Sequence, residues 1–278
     1  MSNIDVINSE LINNDTVSST LFLPLYGRMI ASKKFPDILT DTTAEKLCNT
    51  IPYDFSKLKE SYGSEYTTAC CLIRAYRNDC YIKEYLKKHP NGVIINLGAG
   101  LDDTFTRIDN GRVNWYNIDL PNVIEYREHY IPKQPRTMNI RKSIFDYTWL
   151  NDIKTNESPV LIIAEGLFMY FTHEEIKELF NRIISNFQRG HLYFEAFSKK
   201  GIDYANKIVK KTGNLNSEMR FWINKPNEIL TWSKRIKSAT CTPYFDDFSK
   251  YKKFKFSTRF IMKITDISKR SKFVTIVW

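Results

Sequence analysis

From the amino terminus to about residue 90 the chain carries apolar residues at three-to-four spacing among polar ones, which predicts helices. Ser18 or Ser19 is placed to cap a segment through Leu21 to Ala31, and Thr42 or Thr43 to open another around Ala44 to Cys48. Tyr66 to Lys88 reads as a longer helix with Ala69, Leu72, Ile73, Tyr76, Ile82, Tyr85 and Leu86 on its apolar positions. It stops at His89-Pro90-Asn91-Gly92. The pattern then changes to short apolar runs separated by helical segments. Val93 to Leu97 is a strand, Asn114 to Ile118 a second, Thr137 to Ile144 a third. Val160 to Ala164 is a continuous apolar strand of the kind covered on both faces, and His191 to Phe197 is a fifth. Pro121 to Tyr130 is helical, and Thr172-x-x-Glu175 is a capping-box signature opening a helix with Ile176, Leu179, Phe180, Ile183, Ile184 and Phe187 inward.

Strands joined by helical crossovers run parallel, so the expected fold is a doubly wound α/β sheet. In such sheets ligands bind beyond the carboxyl ends of the strands, where strand order reverses. The residues that follow each strand therefore carry the functional reading.

Composition narrows the class. The 278 residues are 42% hydrophobic and 26% charged, a globular balance. No run approaches the ~20 apolar residues of a membrane span, and the polar start MSNIDVINSE is unlike a signal peptide, which predicts a cytoplasmic protein. Five cysteines (Cys48, Cys70, Cys71, Cys80, Cys241) without CxxC spacing suggest neither disulfides nor zinc. Four histidines without a paired motif argue against metal catalysis and a Ser-His-Asp triad.

The net charge of +10 invites a nucleic-acid reading, but its distribution weakens it. Residues 1 to 198 hold 22 basic and 25 acidic side chains, and residues 199 to 278 hold 19 and 6, so the excess is confined to the last 80 residues. Phe221, Trp222, Trp232, Tyr244, Phe245, Tyr251, Phe254 and Phe256 are interleaved there. They read either as base-stacking platforms or, preferably, as core aromatics between solvated lysines.

The first strand ends in Gly98-Ala99-Gly100, a turn open to close approach by a ligand. A dinucleotide fingerprint wants a third glycine where Asp103 stands, and a pyrophosphate would sit badly beside Asp102 and Asp103, which are placed to cap the following segment. Asp119 ends the second strand, 119 − 98 = 21 positions after the first glycine, the spacing of a carboxylate that accepts from ribose hydroxyls. An adenosine-bearing ligand without phosphates satisfies both facts, and S-adenosylmethionine is such a ligand. Asp146, flanked by Phe145 and Tyr147, and Glu165 follow the third and fourth strands.

These residues carry a family resemblance. VIINLGAGLDDTF at 93 to 105, Arg107-Ile108-Asp109-Asn110-Gly111, WYNIDLP at 115 to 121 and AEGLFMY at 164 to 170 resemble the leucine carboxyl methyltransferase family, with the closer likeness to its bacterial branch of tetracenomycin-type polyketide O-methyltransferases. TLFLPLYGR at 20 to 28, Tyr53-Asp54-Phe55 and DYTWL at 146 to 150 extend it over about residues 18 to 200. The resemblance implies a class I methyltransferase fold: a Rossmann-like, mostly parallel seven-stranded sheet in one domain, 1–278. It divides into a helical cap (1–90), a cofactor-binding core (91–198), and a lid insertion after the fifth strand with the final strands (199–278).

It also implies S-adenosylmethionine as methyl donor and S-adenosylhomocysteine as product. Gly98, Ala99 and Gly100 would line its methionine part, Asp119 with Leu120 the ribose, Asp146 with Phe145 the adenine, and Glu165 the methionine amino end. Arg74 falls where the family pairs an arginine with the cofactor carboxylate, and Arg28 joins the site from the N-terminal helices. Asp103 departs from the family, which usually has Thr there. Methyl transfer is an in-line displacement in which the protein mainly aligns the nucleophile, and an ionised carboxylate acceptor needs no general base. Tyr170 is the candidate for orienting a small-molecule acceptor, and Arg220 and Trp222 for a lid over it. An RNA methyltransferase using the basic tail, a catalytically silent cofactor-binding partner protein, and methylation of a protein C-terminus are the competing readings.

Overall fold

The computed structural model describes residues 15–211, 218–246 and 251–278. Three helices come first: α1 (Asp15–Lys34), α2 (Thr42–Thr50) and α3 (Glu65–Lys88). There follow β1 (Val93–Leu97), α4 (Thr104–Ile108), β2 (Asn114–Asp119), α5 (Pro121–Tyr130), β3 (Thr137–Arg141), β4 (Val160–Ala164), α6 (His173–Asn186) and β5 (Gly190–Phe197). The chain closes with α7 (Lys199–Lys211), α8 (Asn227–Leu230), β6 (Ser238–Pro243), α9 (Phe256–Ile267) and β7 (Ser271–Val277).

The seven strands form one sheet in the order β3-β2-β1-β4-β5-β7-β6. The first five are parallel, and β7 runs antiparallel to both β5 and β6. β1 and β4 sit centrally, and every residue of both is buried. Their unbroken apolar runs follow from that: with helices on both faces, neither side of the pleat can be polar. Alternate residues feed different cores. Ile95, Ile162 and Phe194 meet Leu179, Phe180 and Ile183 of α6 on one face, while Ile94, Leu161 and Tyr193 meet Leu72, Ile73 and Ile82 of α3 on the other.

The chain leaves β1 for β2 on one side and later returns through β4 to β5 on the other, so strand order reverses between β1 and β4. In sheets of this kind ligands bind at that reversal, beyond the carboxyl ends. Gly98 and Glu165 are the residues that follow those two strands.

Three local expectations differ from the structure. α1 begins at Asp15 and runs through Ser18 and Ser19, so neither serine caps it. α2 is capped by Asp41, whose side chain accepts from the Ala44 amide at 2.8 Å; a carboxylate one residue earlier wins over Thr42 and Thr43. β3 stops at Arg141 because the chain turns there, with the Asp146 amide bonded to the Ser143 carbonyl at 2.9 Å. The capping box at Thr172 and Glu175 is present with both of its bonds. Among the described residues no helix is long and apolar enough to cross a membrane, and no three His, Cys, Asp or Glu side chains gather as a metal site.

Candidate active site

The site begins with a backbone problem. Gly98 and Gly100 have φ of +66° and +48°, the left-handed region that favours glycine, and a Cβ on Gly98 would stand 2.8 Å from Leu167 Cδ1. The Gly98 and Ala99 amides donate to the Ile118 carbonyl at the end of β2, at 2.9 and 3.3 Å. Asp119 closes the turn from the same strand: Oδ2 accepts from the Gly100 amide and Oδ1 from the Leu120 amide, both at 2.8 Å. Burial nevertheless holds the Asp119 carboxyl above the usual carboxylate range. Leu120 is half exposed beside it.

A cluster of arginines and aspartates lies beneath this turn. Arg28 donates from Nε to Asp41 Oδ2 at 2.9 Å and from Nη2 to the Leu101 carbonyl at 3.0 Å, with Asp102 3.8 Å away. Arg107 makes a two-pronged pair with Asp79 at 2.8 and 3.0 Å and reaches Asp41 at 3.1 Å. Arg127 donates to the Gly100 carbonyl at 3.0 Å and also to the Asp102 carbonyl. Burial opposes ionisation of Asp102, but Arg28 and Arg107 outweigh it and hold the carboxyl below its ordinary range. Arg28, expected to join the cofactor, is thus placed at the underside of the turn. Of the two acids expected to cap α4, Asp102 accepts from the Thr104 amide at 3.2 Å, whereas Asp103 makes no capping bond to the helix. Asp103 is instead taken up by the hydroxyls of Thr43 and Thr106, at 2.9 and 2.7 Å.

Across the strand reversal stands Glu165. Its Oε2 lies 3.6 Å from Arg74 Nε, while its Oε1 is buried with no hydrogen-bond partner in the structure. Burial, with the nearby charge of Asp102, outweighs Arg74 and pushes the Glu165 carboxyl up to about 7. Gly166, at φ +61°, lets Arg74 come close: a Cβ there would be 3.1 Å from Arg74 Nη1. Arg74 donates at 3.1 Å to Glu195 on β5, a buried acid. Tyr170 is half-buried near this trio, and burial raises its hydroxyl above the ordinary tyrosine value, with Arg74 opposing.

The remaining candidates frame the mouth. Asp146 is exposed and caps the 3₁₀ turn Tyr147–Asp152, accepting from the Thr148 amide at 3.2 Å and hydroxyl at 2.6 Å. These bonds hold its carboxyl below the usual range. Phe145 packs edge-on against Phe171 at 4.8 Å. The Arg220 and Phe221 amides both donate to the Met169 carbonyl, at 2.6 and 3.2 Å, which brings the segment after β5 beside Tyr170. The Arg220 side chain is exposed. Trp222 is half-buried, packs on the His173 ring at 4.2 Å and receives Lys199 Nζ over its face at 5.3 Å.

Of the aromatics in the basic tail, Phe221, Tyr244, Phe245, Tyr251 and Phe254 are core residues, and Trp222 and Trp232 are half-buried against protein. Seven of the eight rings are thus packed against protein, as the core reading expects, and Phe256 is the exception, 81% exposed.

Sequence reasoning missed Asp79, Arg107, Arg127 and Glu195. Asp79 left one trace: it falls on the apolar line of α3 that Leu72 and Ile82 define, where a carboxylate requires a buried partner. Glu195 left a similar one, a single acid inside the apolar run of β5.

This strand order, with a glycine turn after β1 and acids at the end of β2 and just after β4, is that of a class I methyltransferase of the S-adenosylmethionine-dependent kind. A model of the family described as leucine carboxyl methyltransferase matches residues 23–184. The chain is 30% identical over 207 residues to the tetracenomycin polyketide synthesis O-methyltransferase TcmP of Streptomyces glaucescens, covering 73% of this chain and 75% of that one. It is 23% identical over 265 residues to the S-adenosyl-L-methionine-dependent methyltransferase dpfgK of Gibberella zeae, covering 89% of each. In fold it is similar to the plantazolicin methyltransferase BamL, solved with a triazolic desmethylPZN analog and SAH, at TM-score 0.52 and 11% identity over 93% of this chain and 98% of that one. The chain belongs to the leucine carboxyl methyltransferase family.

The raised Glu165 carboxyl makes stability depend on pH. The folded state keeps a proton that an unfolded glutamic acid releases near its ordinary value of 4.5, so stability falls as pH rises from there through about 7. Glu165→Gln should flatten that part of the profile in urea unfolding measured between those limits. An unchanged slope would mean that the carboxyl titrates normally.

Proposed function

We propose that the protein is an O-methyltransferase that transfers the methyl group of S-adenosylmethionine to the carboxylate of a small molecule. The observation that carries the cofactor site is Glu165 Oε1, a buried acceptor without a partner, at the strand reversal opposite the Gly98 to Gly100 turn. The residues fit the cofactor. Glu165 receives the methionine amino end, and Arg74, with further N–H donors beyond the one given to Glu195, pairs with the methionine carboxylate. Gly98 and Gly100, left-handed and without side chains, present backbone to that part of the ligand, and Ala99 between them adds only a methyl group.

Asp119 spends one lone pair of each oxygen on the turn and keeps others for the ribose hydroxyls, beside Leu120. Phe145 and Asp146 take the adenine, the ring packing on its face and the carboxylate accepting from its amino group. Arg28 acts on the same site from below by fixing the Leu101 carbonyl. The whole chain then works as a single methyltransferase domain, with residues 1–90 bracing the turn, 91–198 binding cofactor and 199–278 completing the sheet and bordering the acceptor.

S-adenosylmethionine, when bound, supplies a methyl carbon activated by a positively charged sulfur. The protein's part is alignment. Tyr170, protonated at neutral pH as any tyrosine is and held further from ionisation by burial, donates to one acceptor oxygen and leaves the other to attack. A carboxylate acceptor has no proton to remove, in keeping with a site whose acids are engaged by Arg74 or reserved for the cofactor. Arg220 and Trp222 border the acceptor through their attachment to the Met169 carbonyl. The Streptomyces relative, named for polyketide synthesis, supports a small-molecule acceptor.

Calorimetric titration with S-adenosylhomocysteine should give one site per chain, and Asp119→Ala should weaken it by about tenfold or more, the cost of unmade hydrogen bonds of roughly 1.5–3 kcal/mol. No binding by the intact protein, or unchanged binding by the variant, contradicts the cofactor assignment. With methyl-labelled cofactor and a panel of small carboxylic acids and phenols, labelled product should release methanol in mild alkali, as esters do. Alkali-stable label would identify a hydroxyl acceptor instead.

A further inference from the structure

Helix α9 is built the wrong way round for a helix that only covers a core. Its buried line is Thr258, Met262 and Thr265, two hydroxyl residues and one methionine. Its solvent line is Phe256, Phe260, Ile264 and Ile267, at steps of four, four and three residues, which places them along one face. Phe256 is 81% exposed, Phe260 55% and Ile267 70%, and Ile261 and Ile264 are also exposed. Soluble surfaces scatter single apolar residues but rarely gather five exposed ones on one short helix, four of them in line.

The charge around the stripe has one sign. From Lys252 to Arg270 there are seven basic residues and one acid, Asp266. Asp266 is turned to the protein, where it accepts from the Phe245 amide at 3.1 Å. Lys263 lies on the helix between the exposed aromatic and aliphatic positions, Lys252 and Lys255 are exposed before its first turn, and Lys269 is exposed after its last. Acids do approach the edge: Lys253 bonds Asp37, and the Lys255 amide donates to Glu65 at 2.7 Å. Arg270 stacks at 4.8 Å on Tyr204, itself 54% exposed on α7, so an aromatic with a polar tip extends the patch.

We propose that α9 is a peripheral membrane-docking helix that lays Phe256, Phe260, Ile264 and Ile267 into the headgroup region of an anionic lipid bilayer. The pattern is that of an interfacial amphipathic helix, whose apolar face enters the acyl boundary while flanking lysines meet lipid phosphates. Charge selects this occupant. A second copy of the chain docked on the same face would oppose two cationic rims, whereas an anionic surface is complementary to the whole ring. The inference does not depend on the identity of the methyl acceptor or on cofactor binding.

Vesicle flotation of the full chain tests it. Wild type should float with vesicles of phosphatidylcholine containing about 30% phosphatidylglycerol, and its partitioning into pure phosphatidylcholine vesicles should be about tenfold weaker. Phe256→Ser/Phe260→Ser/Ile264→Ser, which alters only exposed positions, should keep the wild-type circular dichroism and melting temperature and lose at least tenfold in partitioning. Lys252→Glu/Lys255→Glu/Lys263→Glu, with the apolar stripe intact, should lose binding to the anionic vesicles. No flotation, or equal flotation with neutral and anionic vesicles, overturns the proposal. So does a wild-type dimer that the serine variant makes monomeric, which assigns the face to a second copy. A large drop in melting temperature in the serine variant without lipid binding also overturns it, because the face is then covered by the chain itself.

Discussion

The turn at Gly98 to Gly100 depends on the charge cluster beneath it. One backbone carbonyl of that turn and those of the two residues after it are held by guanidinium groups, Arg127 on Gly100 and Asp102 and Arg28 on Leu101. Those arginines are buried: Arg28 pairs with Asp41 at 2.9 Å and lies 3.8 Å from Asp102, the neighbouring Arg107 pairs with Asp79 at 2.8 Å, and Arg127 is answered by the more distant charges of Asp103, Asp102 and Asp119. Breaking one partner of a buried pair costs about 3–5 kcal/mol, since the other is left charged and unsolvated. The same side chains tie α1, α3, α4 and α5 to one point beyond β1. Helices remote in sequence from the sheet thereby become part of the ligand turn.

Glu165 shows the opposite case. It stands where charge is incompletely answered: one oxygen shares Arg74 with Glu195, and the other has no partner. A carboxyl so placed is raised by burial and remains ready for a cationic group. Perturbed acids in a crevice point to function more reliably than saturated ones do. Asp102 is saturated and depressed while Glu165, across the strand reversal, is unsaturated and raised, and the two have correspondingly different work.

Much of this was legible from the chain. β1 and β4 are unbroken apolar runs because both faces of a central parallel strand are covered, and Asp119 and Glu165 stand out because they interrupt such runs at their ends. The count of seven mostly parallel strands came with the family resemblance, whereas the position of the reversal between β1 and β4 and the antiparallel course of β7 were not read, since no local pattern encodes strand order. Arg107 with Asp79 and Arg74 with Glu195 escaped because each pair joins elements 28 and 121 residues apart, and nothing local marks which arginine meets which acid. The early end of β3 was hidden by an apolar Ile144 that packs in the core without belonging to the strand. The basic excess at the carboxyl end divides into aromatics that pack inward and a helix, α9, that turns its apolar line outward.

The central claim is that Glu165 is held partly protonated so that it can meet the cationic end of the cofactor. Calorimetry with S-adenosylhomocysteine near pH 7, repeated in buffers of different ionisation enthalpy, measures proton exchange on binding. Wild type should release a fraction of a proton that Glu165→Gln does not, because a cation beside the carboxyl drives it to ionise. Equal proton exchange in the two proteins would contradict the account.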